Sequence, residues 1–341
     1  MKNKKNAVLW PYRYGNFGKC SWEKGMRYIC SALRNRGYDI LQHPKFTGEY
    51  GAQRYDGRKE CDIAIYNHAV ASEIRGNIIK AKRTWFFKST VPDQRHFTLD
   101  TLGHGSCASI GQTKPDFQSI SEGETEKFFS EQVPNWITER SSKWGSFKHQ
   151  DVREKDFVLF LTQVPTDETV NRMWWGEYTK TLIKAVEAFL VYSDKPIIVK
   201  LHPYTDGTQK RTEYVKKNCT ENAIKMNLGL LAQRHQGRLS VYTGLSSVHC
   251  FFKKADLVCV CNSSSGIEAM MHGLPVISWG FPEYHWVTYD WRNWCLLPEA
   301  LKLKWFDRKK QDQWLCWYLT KHCITDEESA SRRISELLLE K

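Results

Sequence analysis

A run of small hydroxyl residues follows an apolar stretch and precedes a predicted helix. The apolar stretch is Leu257–Cys261, and the run after it reads Asn262-Ser-Ser-Ser-Gly266. The first turn of a helix offers free backbone N–H groups and the positive end of the helix dipole, which together bind phosphate. Serine hydroxyls add donors, and a glycine lets a ligand approach the backbone. The residues predicted to form this anion site are Asn262, Ser263, Ser264, Ser265 and Gly266.

Glu268 lies one turn inside the same predicted helix. A carboxylate there is placed to accept hydrogen bonds from the hydroxyls of a ribose or another sugar. The alternative is that the serines only cap the helix, with Glu268 completing a capping box. The local pattern leaves both interpretations open.

A second candidate is the sequence Lys200-Leu-His-Pro203, at the end of the apolar segment Pro196–Leu201. Ligands of open α/β sheets bind at the carboxyl ends of parallel strands. A histidine side chain changes charge near neutral pH, so this residue type at position 202 is suited to protonate or hydrogen-bond a leaving phosphate. Pro203 fixes the turn that presents the imidazole. We expect His202 and the serine run to lie at one edge of the same sheet, with Lys200 beside them.

The first half of the chain offers candidates for the acceptor side. A turn with the sequence Gly103-His-Gly105 follows the apolar segment Thr84–Lys88, and it contains or adjoins several titratable residues. We predict Asp100 as the general base, or as the nucleophile of a retaining reaction, with His104 as the second candidate. The alternative is an ordinary turn with solvated charges. The residues predicted to line the acceptor side are Asn16, Lys19 and Arg95.

These motifs together resemble the capsule polysaccharide biosynthesis proteins, which include Kdo transferases, and more loosely the bacterial sialyltransferases. The resemblance covers residues 200–290. It is carried by Lys200–Pro203, Asn262–Glu268, His272–Val276 and Gly280–Asp290. It implies a GT-B fold whose second domain binds a nucleotide sugar in the cleft between the domains.

The same resemblance assigns a role to each matching residue. His202 is expected to contact the leaving phosphate, Ser263–Ser265 to bind that phosphate, and Glu268 to hold the ribose or the sugar. A CMP-sugar is the favoured donor, and a UDP-sugar stays open. No other cofactor and no metal are expected.

The order of apolar and amphipathic segments predicts the fold that positions these residues. Short apolar runs alternate with helical patterns in both halves, which is typical of parallel sheets with crossover helices. A chain of 341 residues has room for two such domains. We therefore predict an α/β protein with two Rossmann-like domains facing across a cleft. The predicted domains are an acceptor-binding domain at 1–150, a nucleotide-sugar-binding domain at 151–300, and C-terminal helices at 301–341 that return to the first domain.

The composition restricts the partners and the compartment. Residues 1–150 carry 24 Lys and Arg against 15 Asp and Glu, a net charge of +9, out of +12 for the whole chain. This surplus favours a polyanionic acceptor. The 11 cysteines include no C-x-x-C pair, which favours a reducing, cytoplasmic location. No segment approaches the roughly 20 apolar residues of a membrane span, while peripheral membrane contact stays open.

The function predicted from the sequence is transfer of a sugar from a nucleotide to a hydroxyl acceptor, with a surface glycan or glycolipid favoured. One alternative keeps the chemistry and makes the acceptor a hydroxylated base in DNA, as in virus-encoded DNA glycosyltransferases. Another alternative is a non-catalytic module that binds nucleic acid or glycan. The sugar, the nucleotide, the stereochemistry and the oligomeric state are not specified by the sequence.

Overall fold

Contacts between Cα atoms divide the chain into two compact units. The first unit comprises Met1–Phe117, Ser142–Gly145 and Cys316–Lys341, and the second comprises Gln118–Ser141 and Ser146–Leu315. The computed structural model describes residues 5–11, 22–42, 53–54, 60–67, 80–142, 149–165, 169–170, 177–202, 221–244, 246–291 and 297–340.

The first unit contains a six-stranded sheet with helices packed beside it. Its described elements before residue 118 are β1 (Lys5–Pro11), α1 (Trp22–Arg34), β2 (Tyr38–Gln42), β3 (Gln53–Arg54), β4 (Cys61–Asn67), β5 (Ala81–Ser89), β6 (Phe97–Asp100), a short 3-10 turn (Gly105–Cys107) and α2 (Ser109–Gln112). The strand order is β3-β2-β1-β4-β5-β6. All neighbouring strands are parallel except β6, which runs antiparallel to β5.

Helix α1 shows how the sequence fixes the packing of this unit. Met26, Ile29, Cys30 and Leu33 recur at helical spacing and are all buried in one cluster with strand residues of the sheet. The chain leaves the helix through Gly37, whose φ of +79° lies in the left-handed region that glycine adopts without strain.

The second unit contains a six-stranded sheet whose strands are all parallel, in the order β12-β11-β10-β7-β8-β9. Its described elements are α3 (Glu122–Glu131), α4 (Val133–Glu139), β7 (Phe157–Leu161), α5 (Tyr178–Tyr192), β8 (Ile197–Lys200), α6 (Glu221–Arg234), β9 (Leu239–Tyr242), α7 (His249–Phe252), β10 (Ala255–Val260), α8 (Ser265–Met271), β11 (Val276–Ser278), β12 (Tyr289–Asp290), α9 (Leu297–Leu301) and α10 (Arg308–Trp317), with 3-10 turns at Phe117–Ser119 and His285–Val287.

The central strands of this sheet are buried on both faces. All five residues of β7 and all four of β8 are buried. Sheets of parallel strands are covered on both sides, so their strands read as continuous apolar runs. Such apolar runs occur in the sequence at Phe157–Leu161 and Pro196–Leu201, and they predict strands where the structure has β7 and β8.

Helices α3 and α4 group with the second unit, whereas the sequence placed the first domain boundary at residue 150. Gln313 on α10 donates its side-chain amide to the carbonyl of Ile120 at 3.1 Å. The guanidinium of Arg308, also on α10, lies 5.6 Å from the centre of the Phe129 ring. These contacts hold the segment 118–141 against the last helix of the second unit.

The C-terminal segment completes the first unit. It contains a π-helical turn (Tyr318–His322) and α11 (Glu327–Leu339). Phe97 on β6 exchanges two backbone hydrogen bonds with Ile324, of 3.0 and 2.8 Å. Ile334 and Leu337 on α11 are buried in the same cluster as Met26 and Ile29. A capping box at Asp326 fixes the start of α11.

The predicted α/β class with two parallel-sheet units is confirmed, with differences in detail. The segment 97–100 forms the edge strand β6, which the sequence did not predict. The sequence also predicts a helix near 71–82. This range lies mostly outside the described residues, and its last two positions begin β5. Among the helices that the structure describes, none is long and apolar enough to cross a bilayer.

Candidate functional site

Three neighbouring parallel strands of the second sheet end beside one another. Strand β7 lies between β8 and β10, with Leu161 in register with Lys200 on one side and with Val260 on the other. The chain leaves these strands through Thr162, His202 and Asn262, respectively. His202 and the serine run therefore lie at the same carboxyl edge of one sheet, as the sequence predicted.

Thr162 connects the His202 backbone to β7. The backbone N–H of His202 donates to the Thr162 hydroxyl at 2.9 Å, and the N–H of Thr162 donates to the carbonyl of Lys200 at 3.1 Å. The Thr162 side chain is buried, while His202 is partly exposed. The position of the His202 backbone is thus fixed by a buried neighbour, and part of the residue stays accessible to a ligand.

Gln163 and Asn262 connect β7 to the serine run. The Gln163 amide donates to Asn262 Oδ1 at 2.8 Å, and the backbone N–H of Asn262 donates to Gln163 Oε1 at 2.9 Å. Asn262 also donates its side-chain amide to the carbonyl of Thr169 at 2.8 Å. The Gln163 N–H donates to the hydroxyl of Tyr178 at 2.6 Å. Because both amide side chains are buried, this pairing holds the start of the serine run firmly.

Lys200, predicted to contact the donor, is only 3% exposed. Its ammonium donates to the carbonyls of Leu201 at 2.9 Å and Gly244 at 2.7 Å. These bonds hold the end of β8 to the segment after β9. In this structure Lys200 therefore supports the backbone that carries His202.

The three serines are partly exposed at the start of α8. Ser263 accepts at its hydroxyl from the N–H of Ser265 at 3.2 Å, and its carbonyl accepts from Gly266 at 3.0 Å. Ser264 is the N-cap residue, and its side chain forms no capping hydrogen bond in the first turn that the structure describes. A capping box at Ser264, considered as an alternative, would need this side-chain cap and is therefore not formed.

Tyr284 packs behind the serine run and explains Gly266. A Cβ atom at Gly266 would lie 2.2 Å from the Tyr284 hydroxyl oxygen and 2.6 Å from Cζ of the same ring. The glycine thus makes room for Tyr284. The predicted role of Gly266 in ligand binding stays a prediction. The Tyr284 hydroxyl donates to the carbonyl of Ser263. Burial, followed by the charge of Glu283, raises the pKa of Tyr284 well above its ordinary value, so the hydroxyl stays a donor.

Glu268 is 3% exposed and lies on the inner side of α8. Its charge contributes to the raised pKa of Tyr284, which places the carboxylate near that ring. The predicted contact of Glu268 with a ribose or sugar stays a prediction.

The first-unit candidates occupy a tightly bonded turn. Asp100 is fully buried, and its carboxylate accepts from the backbone N–H groups of Leu102 at 2.8 Å, Gly103 at 3.2 Å and Ser109 at 2.9 Å. His104 is 4% exposed, and its Nδ1 lies 3.1 Å from the ammonium of Lys88. Because an ammonium only donates, this Nδ1 is the acceptor of the bond. Both candidate bases are therefore engaged in holding the turn.

Arg95 stands beside the buried carboxylate of Asp93. Its Nη2 lies 2.7 Å from Asp93 Oδ2, and its side chain is 63% exposed. Burial alone would raise the pKa of Asp93, but hydrogen bonds from His96 and Arg95 hold it well below its ordinary value. The ion pair leaves Arg95 accessible to an acceptor. The predicted Asn16, Lys19 and Pro203 lie outside the described residues.

Thr162, Gln163 and Tyr284 were missed as site residues from the sequence. Thr162 and Gln163 directly follow the apolar run Phe157–Leu161, so the strand-end rule that found His202 applied to them as well. Neither residue type suggests acid, base or nucleophile chemistry. In the part of the chain that the structure describes, no group of three or more His, Cys, Asp or Glu residues could hold a metal ion.

Solved structures share this architecture. A Thermosulfurimonas dismutans KpsC structure, a beta Kdo 2,4 transferase, matches with a TM-score of 0.53 at 12% identity, over 95% of this chain and 92% of that chain. A second structure of KpsC from the same organism, a beta Kdo 2,7 transferase, matches with a TM-score of 0.50 at 15% identity, over 98% of this chain and 99% of that chain. The GT-B class of fold predicted from the sequence is confirmed.

The family resemblance is confirmed over part of the chain. Residues 138–293 match the family model described as capsule polysaccharide biosynthesis protein. This segment contains the strand-end cluster of Thr162, Gln163, His202 and the serine run. Curated protein sequences gave no match.

Proposed function

We propose that the protein is a glycosyltransferase that moves a sugar from a nucleotide sugar to a hydroxyl group of a surface glycan or glycolipid. The observation that carries this proposal is the cluster at the carboxyl edge of the second sheet. There, His202 and the serine run flank β7 and are fixed to it through Thr162 and Gln163. The match of residues 138–293 to a capsule biosynthesis family supports it.

In this proposal the serine run binds a phosphate of the donor. Ser263, Ser264 and Ser265 are partly exposed and supply hydroxyl and backbone donors at the strand end. A hydrogen-bonded phosphate is a better leaving group, because charge develops on its oxygen as the glycosidic bond breaks. A CMP-sugar is favoured by the family resemblance, and a UDP-sugar is the second choice.

His202 is proposed to donate a hydrogen bond or a proton to the leaving phosphate oxygen. The bond between that oxygen and the anomeric carbon breaks, and its electron pair leaves with the phosphate. The acceptor hydroxyl oxygen forms the new bond to the anomeric carbon and releases its proton to water. Thr162 and Gln163 are positioning residues, since they act through His202 and Asn262. We assign Asp100 and His104 to the structure of their turn, because each is already engaged there.

The acceptor is proposed to be acidic. The net charge of +9 in residues 1–150, from 24 basic and 15 acidic residues, favours such a partner. The accessible Arg95 is one candidate contact. The DNA acceptor and the non-catalytic module gain no support from the family match or from the structural similarities, and we do not retain them. A cytoplasmic location stays part of the proposal on the basis of the cysteine pattern.

A panel of nucleotides tests the donor site. CMP, CDP, UDP, GDP and their sugar conjugates are added to the wild-type chain in a thermal-shift assay. A ligand at about 100 times its Kd stabilises the folded state by about 2.7 kcal/mol. We expect one nucleotide class to raise the Tm, and the Ser263→Ala/Ser264→Ala variant to lose most of that rise.

Ser193→Ala is the matched control, since Ser193 follows α5 and lies outside the cluster. It should keep the full rise in Tm. The proposal is wrong if no nucleotide or sugar nucleotide stabilises the wild-type chain, or if the double serine variant responds like the control.

A further inference from the structure

A cavity lies at the amino edge of the second sheet, whereas the serine run lies at the carboxyl edge. It has a volume of about 260 Å³ and is formed by the end of α4, the segment before β7 and the connection from α7 to β10. Strand β10 has six residues, which separates the two edges by about 20 Å. The cavity is therefore distinct from the proposed donor site.

The cavity walls carry an excess of positive charge. Arg140, Lys253 and Lys254 line it, against the single carboxylate of Asp151. Lys254 donates to the carbonyl of Val152 and lies 3.9 Å from Asp151, whose side chain is 81% exposed. Within the described part of the chain, the side chains of Arg140 and Lys253 form no hydrogen bond or ion pair. Two cationic groups thus line a concave surface without a protein counter-ion among the described residues.

His249 lines the cavity and belongs to a neutral hydrogen-bonded pair with His272 behind it. His249 Nε2 lies 2.9 Å from the carbonyl of Ser141 and must donate to it, because a carbonyl only accepts. Its Nδ1 then accepts from His272 Nε2 at 2.8 Å. Burial lowers the pKa of His249, and the charges of Lys253 and Arg140 act in the same direction. The histidine pair is therefore neutral and does not change the positive charge of the cavity wall.

The backbone of Arg140 has an unusual conformation at this cavity. Its φ of 52° and ψ of 43° lie in the left-handed region, at the end of α4. Ser141 donates its N–H to the carbonyl of Trp136 at 2.9 Å, a bond typical of helix ends that place glycine at the residue before. Arg140 therefore occupies a position that favours glycine.

We propose that this cavity binds an oxyanion, the phosphate or carboxylate group of an acidic ligand, through Arg140 and Lys253. Thr138 and Gln150 also line the cavity and offer neutral donors. A guanidinium and an ammonium together form charge-assisted hydrogen bonds to such a group. The ligand supplies the negative charge that the described walls lack. This site is independent of the donor phosphate proposed at the serine run.

Side-chain NMR of histidine-labelled full-length protein tests the proposal. His249 and His149 lie in the cavity wall, and their ring signals report occupancy there rather than at the other edge of the sheet. Inorganic phosphate is added up to about 20 mM, with chloride reduced to keep the ionic strength constant, which detects Kd values in the millimolar range. Glucuronate is titrated in the same way. We expect saturable shifts of both ring signals with phosphate, with glucuronate or with both, and the anion that saturates at lower concentration identifies the preferred group.

The variant Arg140→Gly/Lys253→Ala removes both cations. Glycine is favoured at the left-handed position, so this change leaves the helix end intact. We expect at least a tenfold weaker response to the anions, together with an unchanged Tm rise on adding the donor nucleotide. The control Lys225→Ala, an exposed lysine on α6, should respond like the wild type.

Two results would overturn the oxyanion site. One is that neither anion moves the His249 or His149 signals of the wild-type protein. The other is that the double variant responds as strongly as the control. If the wild-type protein binds no nucleotide but its His249 and His149 signals still respond to the anions, the proposed function is wrong and the oxyanion site is not affected.

Discussion

Gln163 and Asn262 are buried amide residues at the ends of the neighbouring strands β7 and β10. They are joined by one bond between their side chains and one bond from a backbone N–H to a side chain. Each amide accepts or donates toward the other strand end, at 2.8 and 2.9 Å. In a buried setting such bonds are costly to leave unmade, because the separated groups find no water. The pair therefore restricts where the serine run can begin relative to β7. The position of the serine run thus depends on Gln163, a residue to which we assign a positioning role.

Replacing Gln163 by Leu should lower both stability and nucleotide affinity. The variant leaves the Asn262 N–H and Oδ1 without their partner, at a cost of about 1–3 kcal/mol. Urea unfolding measures the loss of stability, and the thermal-shift response to the donor nucleotide measures the loss of affinity. Gln233→Leu, at an exposed position on α6, is the matched control. Equal unfolding free energies for the two variants would contradict the positioning role.

His202→Ala should reduce kcat by about 10²–10⁴-fold if His202 assists the leaving phosphate. The affinity for the donor nucleotide should change much less, since the serine run still binds the phosphate. Steady-state kinetics with the donor identified by thermal shift provide the measurement. Thr162→Val should give a smaller loss, because it only removes the acceptor for the His202 backbone N–H. A His202→Ala enzyme with wild-type turnover would exclude His202 from the chemistry.

Two buried histidines and one partly buried histidine should make stability fall below neutral pH. Burial lowers the pKa of His249, His272 and His322, that of His272 to about 3. In the unfolded chain these rings become protonated below about pH 6.5. In the folded protein they stay neutral until the pH falls to their lowered pKa values. Stability is therefore complete above about pH 6.5 and decreases as the pH falls toward the folded-state pKa values. Each histidine contributes up to about 1.4 kcal/mol per pH unit within that window.

His322→Phe isolates one of these contributions. Within the described structure the ring stacks on Trp317 and Tyr318, and its Nε2 has no hydrogen-bond partner, so a phenyl ring suits the site. We expect a flatter dependence of the unfolding free energy on pH between about 4 and 6.5. The difference in unfolding free energy between the variant and the wild type at pH 8, where the histidine is neutral in both the folded and the unfolded state, measures the effect of the substitution on packing alone. A slope equal to that of the wild type would show that His322 does not titrate on unfolding.

At the scale of elements, the start of α8 depends on a contact with a later segment. Tyr284 follows β11, yet its ring occupies the space where a Gly266 side chain would be, and its hydroxyl donates to Ser263. The serine run is therefore supported from two directions, by Asn262 at its beginning and by Tyr284 from behind. Its position results from the packing of α8 against the segment after β11, in addition to its own sequence.

Gly266→Ala should destabilise the protein by about 1–3 kcal/mol, the usual cost of overpacking. The added methyl group displaces Tyr284 and with it the Ser263 carbonyl, so nucleotide affinity should fall too. The control is Gly229→Ala on α6, where a new Cβ has no atom within 4 Å. That control should gain about 0.5–1 kcal/mol, because alanine favours a helix. Denaturant unfolding of both variants measures whether the unfolding free energy falls for Gly266→Ala and rises for Gly229→Ala. Equal changes in the two variants would contradict the packing role of Gly266.

The elements predicted best from the sequence are those whose signal is local. Phe157–Leu161 reads as a continuous apolar run, and the structure has β7 at the same residues. Strand β6 was missed because Phe97–Asp100 is short and follows charged residues, and only its antiparallel pairing with β5 makes it a strand. The strand-end rule located His202 and the serine run. The role of Gly266 could not be predicted, since it depends on a ring contributed by a distant segment.

At the scale of the whole molecule, the chain returns to its first unit at the end. Ile324 pairs with Phe97, and α11 buries Ile334 and Leu337 in the cluster that contains Met26 and Ile29. The first core thus combines residues from both ends of the sequence. The first core is complete only when α11 has packed onto it. Most of the second unit lies in the sequence between the strands of this core and α11.

Leu337→Ala should destabilise the protein by about 2–5 kcal/mol, the usual cost of truncating a buried leucine. Leu339→Ala is the matched control on the same helix, since Leu339 is 82% exposed and Leu337 is 1% exposed. The control should change the unfolding free energy by less than about 0.5 kcal/mol. Thermal and urea unfolding distinguish the two variants. A small effect at Leu337 would mean that α11 adds little to the first core.

The return of α11 also sets an order of assembly during protein synthesis. Chains emerge from the ribosome from the N-terminus at about 5–20 residues per second, and domains fold as their sequence becomes available. All residues of the second unit emerge before Ile334 and Leu337 do. Strands β1–β6 must therefore wait for the last helix with part of their apolar surface uncovered. The later unit in the sequence is the first that can finish folding, and the nascent first unit is the part most in need of chaperone protection.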